Sequence, residues 1–191
     1  MNTALPTRST FVTVVAWIFL MLSGFGLFIS LLQNLMIHLL FPPEAFEEFA
    51  RMPPPPGMPA GVGWIFGNIK AFFALMVLPV LLIFAASLGL LKRWEWGRKL
   101  FIAMMALSIV MNLVMLVFQG FMMVGLHGQF EALAQAAPEG QAPPDIGAFL
   151  IGISVFALVY SLGISAVQAW IIKRLVSAPI VAEFRAASAQ A

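Results

Sequence analysis

LFIAMMALSIVMNLVMLVFQGFMMVGL, residues 100–126, runs for 27 consecutive positions without a charged side chain. A helix rises about 1.5 Å per residue, so a run of this length outreaches the ~30 Å hydrocarbon layer of a bilayer. No two-residue alternation of apolar and polar side chains runs through it, and an open strand edge has no hydrogen-bonding partner in lipid; the stretch therefore reads as a transmembrane helix rather than a barrel strand. Three more runs of the same kind follow from this one: Phe11 to Phe41, Ala71 to Leu91 and Phe149 to Ile172. The first is longer than a signal-peptide core and is not followed by a small-residue cleavage pattern, so it counts as a retained span. The predicted fold is an all-α membrane protein, a four-transmembrane-helix bundle forming a single transmembrane domain over residues 1–191, with outer loops at about 42–70 and 127–148 and an inner loop at 92–99.

Composition supports this and removes other classes. Of 191 residues, 62% are hydrophobic and only 9% charged, too much apolar surface for one water-soluble core. The 10 Lys and Arg against 8 Asp and Glu leave a small positive charge, but the cations lie in short clusters beside apolar runs, which argues for membrane orientation and against nucleic-acid binding. Cysteine is absent, which excludes disulfides, thiol catalysis, Cys-ligated zinc and iron–sulfur clusters. With both termini and the loop Lys92 to Lys99 in the cytoplasm, Arg8, Lys92, Arg93, Arg98, Lys99, Lys173, Arg174 and Arg185 lie inside, and only Arg51 and Lys70 outside. That bias orients the chain with N- and C-termini cytoplasmic.

The two outer loops share a plan of amphipathic segment, proline-rich stretch and glycine. At an offset of 84 residues, Phe46, Glu47, Ala50, Pro54, Pro59 and Gly63 match Phe130, Glu131, Ala134, Pro138, Pro143 and Gly147. This internal repeat predicts two tandem helix-loop-helix hairpins related about an axis along the membrane normal. Glu44 to Arg51 behind Pro43 reads as a short interfacial helix, and Pro53 to Pro56 as a stiff polyproline spacer.

Polar residues inside spans are the informative ones, because each needs a partner in hydrocarbon or access to water. Ser23, Ser30, Asn34 and His38 share one face of the first span; Ser108, Asn112, Met115 and Gln119 share one of the third; Ser154, Ser161, Ser165 and Gln168 lie along the fourth. Counted inward from the basic clusters, Asn112, Pro79 and Tyr160 fall near the midplane. Gln33, Asn34, His38, Asn68, Lys70, Gln119 and His127 fall at the outer boundary. These seven form the candidate binding site, an outer polar layer in which Lys70 meets an anionic headgroup or an acid of the outer loops, and amides orient the ligand. The plainer alternative is that the amides bond between helices and Lys70 snorkels to the surface.

No chemistry-bearing constellation stands out. His38 and His127 invite a metal with a loop carboxylate, but no ligand spacing enforces one, and neither lies deep enough for bis-histidine haem. Nucleophile elbows and phosphate-cradling glycine motifs are absent. The sequence thus calls for no catalytic residue, no metal and no cofactor. Trp94 and Trp96 with their flanking cations read as an interfacial anchor, and the tail from Ser177 as a brief interfacial helix with Ile180, Val181 and Phe184 on one face.

FVTVVAWIFL at residues 11–20 and ISLLQNLM at 29–36 resemble the opening of uncharacterised multi-pass inner-membrane proteins of Gram-negative bacteria, over about one sixth of the chain. The resemblance implies a bacterial inner membrane and periplasmic outer loops, and brings no binding residue with it. The leading functional expectation is a non-enzymatic bundle that binds membrane lipids or a membrane or periplasmic protein partner. The alternative is a small transporter or channel built from the duplicated hairpins; a membrane enzyme using an outer-face histidine ranks third.

Overall fold

The computed structural model describes residues 8–40, 67–136 and 147–189. They form five helices in the order α1 (Thr10–Leu40), α2 (Ile69–Leu91), α3 (Glu95–Ala136), α4 (Gly147–Leu175) and α5 (Ala178–Ser188), with no strand among the described residues. Helices α1 to α4 are long and apolar enough to cross a membrane. Between 6% and 22% of their most apolar stretches is buried inside the protein, so most of that surface needs lipid as its solvent, as an integral membrane protein requires. The expected interfacial helix Glu44 to Arg51, the prolines 53–56 and most of the 84-residue repeat lie outside the described residues.

The described residues divide into two units. The first holds α1, α2, α3 through Ser108, α4 from Val167, and α5. Its core gathers Val12 and Ala16 of α1, Ala86 and Leu90 of α2, Phe101 and Met105 of α3, Leu175 of α4 and Phe184 of α5. Glycines let these helices close up: a Cβ on Gly97 of α3 would stand 2.5 Å from the Gly89 Cα of α2, so the backbones touch there.

Three sequence expectations change within these helices. The inner loop is shorter than 92–99, because α3 restarts at Glu95 and only Lys92, Arg93 and Trp94 connect it to α2. Trp94 N donates to Gly89 O and Arg93 N to Leu90 O, a Schellman closure with Arg93 left-handed at φ 60°. At its other end α3 continues to Ala136, so residues 127–136 are helical rather than loop. The segment Gln129 to Ala136 is built mostly of good helix formers.

The third change is the largest. The basic turn and the tail are more than interfacial anchors: they form one buried polar cluster. Arg93 and Glu183 are both buried, and Arg93 Nε meets Glu183 Oε1 at 2.6 Å. Arg93 also donates to Leu90 O, Ser9 O and Thr13 Oγ1, while Ser9 N–H donates to the Glu183 carboxylate. Arg98 bonds Glu95 through two nitrogens and reaches Leu175 O at 3.1 Å. Phe184 lies under both guanidinium groups at 5.8 and 5.9 Å. Helix α5 is thus a packed part of the first unit, tying its last turns to the start of α1 and to the α2–α3 turn. Composition hides this, since a short tail with one acid carries no signal of the arginine it will neutralise.

The second unit holds α3 from Ile109 and α4 through Ala166 among the described residues, with Asn68 assigned to it as well. Its packing is thin. Ser161 is the only buried residue described there.

Candidate functional site

The seven residues of the expected outer layer are divided between the two units, four in the first and three in the second. In the first unit, Asn34 Nδ2 donates to Ser30 O at 2.9 Å and across to Phe73 O of α2 at 3.0 Å, so this amide joins two helices. His38 stays on its own helix, with Nδ1 2.9 Å from Asn34 O. Gln33 is exposed, and Lys70 is half-buried in the first turn of α2; the acids expected opposite it in residues 44–48 and at 145 lie outside the described residues. In the second unit, Asn68 and His127 are exposed and Gln119 is half-buried. His127 borders an apolar groove of about 360 Å³ with Met123, Leu150 and Val155. Among the described residues no group of three or more His, Asp or Glu is placed to hold a metal.

One of the seven, Gln119, belongs to a site the sequence only half revealed. Helices α3 and α4 of the second unit enclose a pocket of about 220 Å³ whose polar lining is Asn112, Gln119, Tyr160 and Ser161. Asn112 and Gln119 are seven residues apart, two helical turns, and so present their amides along one stripe of α3. Asn112 Nδ2 donates to Ser161 O and to Ser165 Oγ, each at 3.0 Å. These bonds hold α3 against α4 and, by membrane precedent, contribute about 0.6–2 kcal/mol each. They use both amide hydrogens and leave Oδ1 as an acceptor.

Ser161 is the unusual member. Ser23, Ser87 and Ser154 each turn their hydroxyl back onto the carbonyl four residues earlier, the ordinary solution for serine in an apolar helix. Ser161 Oγ does not, and is buried with no hydrogen-bond partner. Leaving such a group unmet costs about 1–3 kcal/mol. The Gln119 carboxamide likewise has no partner among the described residues. The remaining wall is Met115, Leu116, Ile153, Phe156 and Ala157, so no ionisable group but the Tyr160 phenol lines the pocket. At its rim Phe156 and Tyr160 stack with centroids 6.1 Å apart and planes 18° from parallel, and both rings are more than half exposed.

A larger cavity of about 570 Å³ lies in the first unit beside Ser9, Arg174, Ser177 and Glu183. Its carboxylate is already engaged by Arg93 and Ser9, and its one open cation, Arg174, lies over the Phe11 and Trp170 rings, which makes it a packed boundary residue. A second interhelical amide, Gln168, donates to Ser108 Oγ at 2.9 Å while its buried Oε1 finds no partner.

Sequence reasoning placed Asn112 and Tyr160 at mid-depth and Ser161 on a polar stripe, yet left all three out of the site. The available signal was that Asn112 is the one amide of α3 far from either end of its span. What periodicity does not contain is which hydroxyl across the seam goes unanswered. Compared with protein-family models, with curated proteins and with solved structures, the sequence matches none of them.

Proposed function

We propose that this integral membrane protein is a non-enzymatic helix bundle that holds a membrane lipid between α3 and α4. The observation that carries the reading is the buried, unpartnered Ser161 hydroxyl at a largely apolar pocket with a few polar groups, whose rim is apolar, aromatic and exposed on helices built for lipid. A polar group left unmet where water is scarce is a cost that a bound ligand repays. Of the outer layer, Gln119 serves this site. The transporter reading has less support, because the Asn112 amide hydrogens are spent on joining the two helices. Protein purified with its surrounding native lipid and compared with bulk membrane extract tests the proposal. Enrichment of one lipid class supports it; a lipid profile indistinguishable from bulk overturns it.

The cytoplasmic placement of both termini, the bacterial inner membrane and the tandem hairpins belong to the same proposal, supported by the Lys and Arg asymmetry, the resemblance of the first span and the 84-residue repeat. Because the chain has no native cysteine, single cysteines at Pro55 and Gly140 report cleanly. Both should react with an impermeant thiol reagent from outside intact cells, and a cysteine at Ala191 should not. The reverse pattern defeats the orientation.

A further inference from the structure

Resting on the lipid-binding reading, we infer that the pocket between α3 and α4 selects an uncharged lipid that bears a free hydroxyl. Three observations on its lining lead there. First, no acid, lysine, arginine or histidine lines it, so an ionised headgroup entering it would lose hydration and meet no countercharge. Second, its open hydrogen-bonding groups include an acceptor that only a donor can meet. Both Asn112 amide hydrogens are used and its Oδ1 is left over; Ser161 Oγ and the Tyr160 phenol each offer lone pairs and one hydrogen, and the Gln119 carboxamide offers an oxygen and two N–H hydrogens. A ligand made only of esters brings further acceptors and leaves Asn112 Oδ1 unmet. An alcohol brings a hydrogen for Oδ1 or Oγ and an oxygen for the Gln119 N–H or the Ser161 O–H. Third, the mouth is apolar. Met115, Phe156 and Tyr160 are all more than half exposed, and a hydrocarbon chain lies naturally against the Phe156–Tyr160 stack.

The geometry points to a polar end of a few atoms inside and a chain in the bilayer, since about 220 Å³ is far below the volume of a whole lipid. A glycerol hydroxyl, as in a diacylglycerol, and a prenyl alcohol share this chemistry.

The test uses the full chain in nanodiscs of phosphatidylcholine, which has no hydrogen-bond donor. Dioleoylglycerol, its acetate ester, dioleoyl phosphatidic acid and geranylgeraniol are each added, and retention is read by native mass spectrometry. Retention of dioleoylglycerol about tenfold above its acetate, the worth of roughly one hydrogen bond to a buried group, supports the inference and names glycerolipid as the source. Retention of geranylgeraniol alone also supports it and names the prenyl alcohol. Ser161→Ala should lose that selectivity while melting no lower than the parent, because it deletes an unmet hydroxyl; a merely structural serine would not separate the two readouts. Gln119→Leu is the second variant, and should lose selectivity as well. If phosphatidic acid is kept and neither alcohol is, the hydroxyl inference falls and lipid binding stands. If no added lipid is retained, or a second copy of the chain covers the pocket mouth in its place, both fall.

Discussion

Glu183→Gln is the sharpest test of the packing that holds the first unit together. The substitution preserves the shape of the side chain and removes its charge, leaving the Arg93 guanidinium buried without a counterion. The pair is sequestered, with side chains 4% and 7% exposed, so the solvent screening that weakens surface ion pairs offers little relief. Removing one partner of a buried pair costs about 3–5 kcal/mol. For a chain of this size each kcal/mol moves Tm by about 2–4 °C, so Glu183→Gln should lower it by about 6–20 °C. Tryptophan fluorescence of detergent-solubilised protein follows the transition, with Trp94 reporting from the turn and Trp96 from the first turn of α3. Arg93→Met should cost a similar amount, and the double variant much less than the sum, since neither charge is then stranded. It will not return to the parent value, because the Ser9 N–H loses its carboxylate acceptor and Thr13 Oγ1 loses its arginine donor. Arg93→Gly should retain about 1 kcal/mol more stability than Arg93→Met, as glycine removes the cost of the left-handed backbone at a smaller entropic penalty. A shift below about 2 °C for Glu183→Gln, or the same shift with Arg93 already replaced, would refute the claim that α5 is held by this pair.

Gly97→Ala and Gly128→Ala lie on the same helix and should act in opposite directions. The first drives a methyl into the Gly89 backbone, so it should lower Tm; the second meets nothing within 4 Å and should raise it slightly through helix propensity. Asn112→Leu should lower Tm by a few degrees, the worth of its two bonds to α4, and Ser165→Ala by less, since the bond to Ser161 O survives. Equal losses for the last two would show that Asn112 is held by Ser165 alone.

What the sequence by itself determined is the class of solvent and the secondary structure. Runs of about 20 to 30 mostly apolar residues leave a chain no alternative to helices in lipid, and the ends of α1, α2 and α4 fall within about three residues of where those runs stop, because the loss of hydrophobicity marks the edge of the bilayer. The polar stripes were legible for the same reason: helical periodicity is a local property of the chain. Which polar groups answer one another was decided only by the tertiary structure. Arg93 and Glu183 lie 90 residues apart, and nothing in either neighbourhood marks one as the other's counterion. Ser161 has the same neighbours in sequence as any packing serine. Its hydroxyl is exceptional because it makes no bond back along α4 and the amide across the seam does not meet it: Asn112 donates to the Ser161 carbonyl and the Ser165 hydroxyl instead.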